Sequence, residues 1–124
     1  MQARITEEQI RDLVFAFYAK VQADPLLGSV FESRLAGRWD AHLDKMCDFW
    51  SGILLATGRF RGDPVRVHAQ IAEITPGHFD RWLELFDETA HEVLPTPIAV
   101  DIVTRSQRMR LVLERAAASQ AHTP

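Results

Sequence analysis

Four times ahead of its last few residues this chain sets an aspartate or threonine directly before proline, at Asp24-Pro25, Asp63-Pro64, Thr75-Pro76 and Thr96-Pro97. The pair is a helix start: the first side chain accepts a hydrogen bond from an amide of the opening turn, and proline fills a position whose amide proton has no intrahelical partner. Thr6, with Gln9 three residues on, adds a capping-box pattern ahead of an apolar run. Five helix starts in 124 residues commit most of the chain to helix and leave little room for a sheet.

The apolar spacing between these starts supports that reading. Over roughly 7 to 22, Ile10, Val14, Phe17, Tyr18 and Val21 recur at intervals of three and four, which turns Tyr18 inward. A short helix around 25 to 34 carries Leu26, Leu27, Val30 and Phe31. Gly37 then breaks the chain before a long helix of roughly 38 to 57, which Gly58 is expected to close as a left-handed cap. On that helix Trp39, His42, Leu43, Met46, Phe49, Trp50 and Ile53 share one face, an apolar stripe interrupted by a single imidazole. A glycine-punctuated loop, Thr57 to Asp63, leads into a short helix of roughly 64 to 73 that holds His68. Beyond Thr75-Pro76, Phe79, Trp82, Leu83 and Phe86 form one face, and the last helix, roughly 97 to 119, shows Ile98, Ile102, Met109 and Leu113. No strand pattern of comparable length appears, so the class is all-α, with helix pairs packed antiparallel or crossed.

With 47% hydrophobic residues the chain can bury one core, and a single domain over 1–124 is expected, with 119–124 as a polar tail that frays. Seventeen acidic residues against 14 scattered basic ones give a charge of −3, which argues against nucleic acid as a partner. Cys47, the only cysteine, suits a reducing compartment and reads as a structural thiol. MQARITEEQI lacks the apolar core of a signal peptide, and no membrane-spanning stretch occurs, so a soluble, cytoplasmic protein is expected.

Several fragments, in order, carry a family likeness: Phe17-Tyr18-Ala19-Lys20-Val21, Asp24-Pro25-Leu26-Leu27-Gly28 with Phe31, Trp39-Asp40-Ala41-His42, and Asp48-Phe49-Trp50-Ser51. Leu55-Ala56-Thr57-Gly58-Arg59-Phe60, Gly62-Asp63-Pro64 to His68, and His78-Phe79-Asp80-Arg81-Trp82-Leu83 with Leu85-Phe86 continue it. Over roughly residues 10 to 95 the chain resembles a group III truncated haemoglobin. The resemblance implies a shortened globin fold, helices packed two over two around haem b (iron protoporphyrin IX), with His68 as the proximal iron ligand. It further implies a distal side lined by Tyr18, His42 and Trp82 with Met46 beside them. Phe31 would pack on the porphyrin, and Phe49, Trp50, Phe60 and Phe79 would form apolar walls.

Elementary chemistry says what such residues would do. A neutral imidazole binds iron through one nitrogen, while the other donates to a carbonyl or carboxylate that fixes the tautomer. In a helix the carbonyl four residues before His68 is that of Pro64, and the nearest acid, Asp63, is taken by its capping duty. Tyr18 and Trp82 could each donate to a polarised diatomic ligand, and one such bond, worth about 1.5 to 3 kcal/mol, changes affinity roughly tenfold to a hundredfold. His42 could donate, swing outward, or move a proton. Arg59, in the loop before the His68 helix, is the first candidate for a haem propionate.

Dioxygen or another diatomic is therefore the expected ligand. The rival is a haem redox enzyme, peroxidase-like or a nitric oxide dioxygenase, which would need an external reductase. Two further readings are a carboxylate di-iron protein, from the Glu-x-x-His spacing of Glu88-Thr89-Ala90-His91, and a cofactor-free helical interaction module.

Overall fold

Local cap chemistry opens the helices nearly where the residue patterns place them. A computed structural model describes residues 4–71 and 74–121, and its elements are α1 (Glu7–Ala23), α2 (Pro25–Leu35), α3 (Trp39–Leu55), α4 (Pro64–Ala69), α5 (Pro76–Val93) and α6 (Thr96–Ala121). The Thr6 and Gln9 side chains exchange bonds with each other's backbone at the head of α1. Asp24 accepts from the Leu26 and Leu27 amides at 3.1 and 2.9 Å, and Asp63 accepts from the Arg66 amide at 3.1 Å. At α5 the cap is reversed in sense: the Thr75 amide donates to His78 Nδ1 at 3.0 Å.

Four boundaries differ from expectation. The last helix begins one residue early, at Thr96, because the Pro95 carbonyl takes the Ile98 and Ala99 amides and leaves Thr96 inside the first turn. It also runs through to Ala121, past the expected start of the tail at 119, and residues 122–124 lie outside the described residues. The long helix ends at Leu55, and Ala56, not Gly58, takes the left-handed cap position at φ 57°, ψ 37°. Gly58 is also left-handed, at φ 71°, but two residues further on, within the loop. α4 is shorter than expected and closes at Ala69; residues 72–73 of the expected span lie outside the described residues.

α1 packs against α3, α5 packs against α6, and the two pairs meet where α1 touches α5, a two-over-two sandwich. α2 bridges α1 and α5, and α4 lies on α6. Gly28 lets α2 come close to the end of α1, since a Cβ there would stand 3.0 Å from the Gln22 carbonyl oxygen. The inward stripe of α1 is fully realised: Ile10, Val14, Phe17, Tyr18 and Val21 are all buried. Phe17 is the hub, with edge contacts to Tyr18 at 4.9 Å, Trp82 at 5.0 Å and Phe86 at 5.2 Å. Truncating so buried a phenylalanine to alanine costs about 3 to 5 kcal/mol. Ile53, placed on the shared face of the long helix, points outward at 38% exposed, and Leu26 of α2 is also exposed. Leu54 and Leu55 meet the core at the end of α3 in place of Ile53, and Leu27 does so in α2.

Candidate functional site

One cavity, about 260 Å³, opens between the two helix pairs and draws its walls from every helix and from the loop before α4. α1 contributes Tyr18, α3 contributes His42, Met46, Phe49 and Trp50, α4 contributes His68, and α5 contributes Phe79 and Trp82. Phe31 and Phe60 complete the aromatic wall. All the candidate site residues named from the amino-acid sequence therefore meet in one place, with the exception of Arg59.

Arg59 is committed elsewhere. Its guanidinium pairs with Glu7, reaches Asp48 at 3.2 Å and donates to the Ser51 hydroxyl at 3.2 Å. It ties the loop to α1 and α3 and does not line the cavity, because an acid 52 positions away in sequence folds up against it. Two cations that the sequence reading passed over do line it: Lys45, one turn after His42 on α3, and Arg110 of α6, already held by Asp80 at 2.6 Å and Glu114 at 2.8 Å. The spacing from His42 to Lys45 was the available signal for the first; nothing local marks the second. His78 also reaches the cavity wall from the head of α5.

On α4, His68 Nδ1 lies 2.7 Å from the Pro64 carbonyl oxygen. A carbonyl can only accept, so Nδ1 carries a proton, and in the neutral imidazole Nε2 is the nitrogen with the lone pair. The expected backbone partner is thus the observed one. Phe79 flanks the ring at 6.4 Å between centroids.

Across the cavity His42 stands edge-on to Tyr18, with ring centroids 5.1 Å apart. Its Nε2 is buried and has no hydrogen-bond partner among the described residues. Burial, with some help from the Lys45 charge, lowers its pKa to about 4, so the imidazole is neutral at ordinary pH. An orphaned buried nitrogen costs about 1 to 3 kcal/mol, a cost that a ligand bonded to it would relieve.

Tyr18 and Trp82 both line the cavity. Trp82 acts on the Tyr18 phenol in the direction a donor does, toward a lower pKa, and since an indole only donates, the phenol oxygen is the accepting side of that interaction. Burial pushes the Tyr18 phenol well above its usual range, so it keeps its proton and can pass it as a donor to a third group. Trp82 is held in this attitude by stacking on Phe86, centroids 4.8 Å apart and planes 13° from parallel, and by the edge of Phe17.

The donor set fits an iron porphyrin: an imidazole with its lone pair kept free on one wall, aromatic and aliphatic surfaces around, polar groups opposite and a cation at Lys45. It does not suit a di-iron centre. Glu88 bonds Lys20 at 3.0 Å, His91 faces Asp87 at 3.3 Å, and no three His, Cys, Asp or Glu side chains gather as metal ligands among the described residues. Cys47 is half-buried, and desolvation raises its thiol pKa. Among the described residues no helix is long and apolar enough to cross a membrane.

Comparison with known proteins places this geometry in context. The family model for the bacterial-like globins matches residues 5–114. Group 3 truncated hemoglobin ctb of Campylobacter jejuni subsp. jejuni is 30% identical over 121 residues, which span 95% of this chain and 87% of that protein. The crystal structure of a group III truncated hemoglobin from Campylobacter jejuni superposes with a TM-score of 0.87 at 29% identity, covering 92% of each chain.

Proposed function

The chain belongs to the bacterial-like globin family, among its group III truncated haemoglobins, and on that premise we propose that it holds haem b through His68 as a five-coordinate iron and binds dioxygen or another diatomic ligand against Tyr18, His42 and Trp82. The observation that carries the reading is that His68, its Nδ1 pinned to the Pro64 carbonyl, shares one cavity with these three residues. Haem, held by His68, would supply an iron able to bind a small diatomic ligand.

The chain's own residues do the rest. His68 presents Nε2 in a fixed orientation, because the Nδ1–H bond stops the ring from turning over. The Tyr18 O–H, polarised by the Trp82 N–H behind it, donates to a ligand that draws electron density; bonds in series strengthen one another. His42, neutral and otherwise unpartnered, supplies the second polar contact, and Met46 with the aromatic walls excludes water. Lys45 is the cation we assign to the haem propionates in place of Arg59.

Ligand binding is favoured over peroxidase-like turnover on two grounds. A carbonyl partner leaves His68 a weaker electron donor than a carboxylate would. His42, with a pKa of about 4, is neutral at ordinary pH and lacks the imidazolium proton that a general acid would deliver. We place the protein in the cytoplasm, where an external reductase would keep the iron ferrous.

Absorption spectra of the reduced protein with and without carbon monoxide, repeated for His68→Ala, test the assignment. Loss of the five-coordinate ferrous spectrum in the variant is expected; unchanged ligation would remove His68 from the role.

A further inference from the structure

Ser51, buried on α3, carries a hydroxyl whose bonding capacity is fully used. Its one proton goes to the Asp48 carbonyl at 2.9 Å, so in its 2.7 Å contact with Thr57 the threonine hydroxyl is the donor. The remaining lone pair takes Arg59 Nη2 at 3.2 Å. Two residues of the loop between α3 and α4 are thus moored to one buried oxygen. From there Arg59 extends to the Asp48 carboxylate through Nε at 3.2 Å and to Glu7, in the first turn of α1, through Nη2. Arg61 differs: its hydrogen bonds, to the Gly58 and Phe60 carbonyls, stay inside the loop.

Phe60, the next residue, faces the other way, into the cavity. Its ring stands edge-on to Phe49 with centroids 5.1 Å apart, and its tip rests on Gly62, where a Cβ would come within 2.7 Å of Cζ. We propose that Arg59 is a positioning residue for the pocket: its bonds to Glu7, Asp48 and Ser51 hold the loop so that the Phe60 ring stays against Phe49 and Gly62 and walls the cavity. Apolar contact is non-directional and does not by itself choose one ring position. Hydrogen bonds do, because they weaken steeply as their angle falls. α4, which follows Phe60 by four residues, buries none of its own side chains and so gives the loop little purchase from that end.

The mooring needs arginine in particular. A planar guanidinium presents its donors in a fixed fork that can meet two carboxylates and a hydroxyl at once, whereas a lysine ammonium is a single point charge. Its consequence for haem rests on the pocket role proposed for Phe60, but the primary readout does not. A Gly62 Hα proton stands where the Cβ would be, close enough to the Phe60 ring for a strong nuclear Overhauser cross-peak, and Phe60→Leu identifies that signal.

In the haem-free chain and in the haem-loaded, carbon monoxide-bound protein, Arg59→Gln is expected to weaken this cross-peak, and Arg59→Lys to recover part of it. Should Arg59→Gln fail to reach the parent's helical content, Ser51→Ala, which frees Thr57 and one bond of Arg59, decides in its place. Transfer of haem to an excess of apomyoglobin should run about two- to tenfold faster in Arg59→Gln, the share expected from one hydrogen bond at a half-exposed site. An unchanged cross-peak overturns the proposal, as does an equal loss in Arg61→Gln, whose bonds never leave the loop. A weakened cross-peak with unchanged haem transfer supports the positioning role and refutes Phe60 as a wall against haem.

Discussion

The series proposed for the distal side, Trp82 behind Tyr18, makes a prediction that separates it from two parallel donors. Removing the phenol hydroxyl, Tyr18→Phe, deletes a direct donor to a polarised ligand, worth about 1.5 to 3 kcal/mol, and should speed dioxygen dissociation roughly tenfold to a hundredfold. Trp82→Phe deletes the bond behind it, worth about 0.5 to 1.5 kcal/mol, for a roughly two- to tenfold rise. The decisive quantity is how the two combine. Stacking on Phe86 at 4.8 Å and the Phe17 edge at 5.0 Å fix the indole plane, so its N–H cannot turn to the ligand once Tyr18 is gone. In the Tyr18→Phe background, Trp82→Phe therefore loses its hydrogen-bond effect, and the pair couples by about 0.5 to 1.5 kcal/mol. Any effect of the smaller ring on access is present in both backgrounds and cancels in the cycle. Stopped-flow dissociation of dioxygen into carbon monoxide for the four proteins measures it. Equal factors for Trp82→Phe in both backgrounds, agreeing within about 0.5 kcal/mol, would refute the series arrangement.

Ala56 holds a left-handed cap that glycine fills without steric cost, so Ala56→Gly should stabilise the chain by about 1 kcal/mol and raise Tm by about 3 to 5 °C on thermal melting; a lower Tm would contradict the cap geometry. His42 should impose an acid-side loss of stability on the haem-free protein. Its folded pKa of about 4 lies below the ordinary 6.5, so the neutral form's contribution is complete above pH 6.5 and is lost as pH falls toward 4, up to about 3 kcal/mol in all. Urea midpoints across that range should fall with pH in the parent and stay flatter in His42→Leu; parallel slopes would show that His42 is not desolvated. The same variant, freed of an orphaned buried nitrogen, should melt higher than the parent at pH 7 when haem is absent.

What could be read before folding follows the range of each interaction. Asp24, Asp63 and the Thr6–Gln9 box act over two or three residues, and the bond from His68 to the Pro64 carbonyl spans one helical turn, so their geometry is implicit in the order of residues. Helical periodicity likewise aimed Tyr18, His42 and Trp82 inward. The errors fall where competing local choices are nearly equal or where partners are distant. Ala56 and Gly58 lie two residues apart, and local propensity favours the glycine that the helix did not use. Arg59 was a free cation by any local criterion until Glu7 folded against it.

Taken alone, the order of amino acids determined the helix starts, the all-helical class, the backbone partner of His68 Nδ1 and, through family likeness, the globin identity, because caps, periodicity and i to i−4 bonds are short-range. Tertiary structure alone decided that the His42 Nε2 has no partner among the described residues, that Lys45 and not Arg59 borders the cavity, and that Asp24 divides its carboxylate between a cap and Arg81. Each of these is a competition among groups far apart in sequence for the same donor or acceptor, and only the packed chain settles which of them comes within 3 Å.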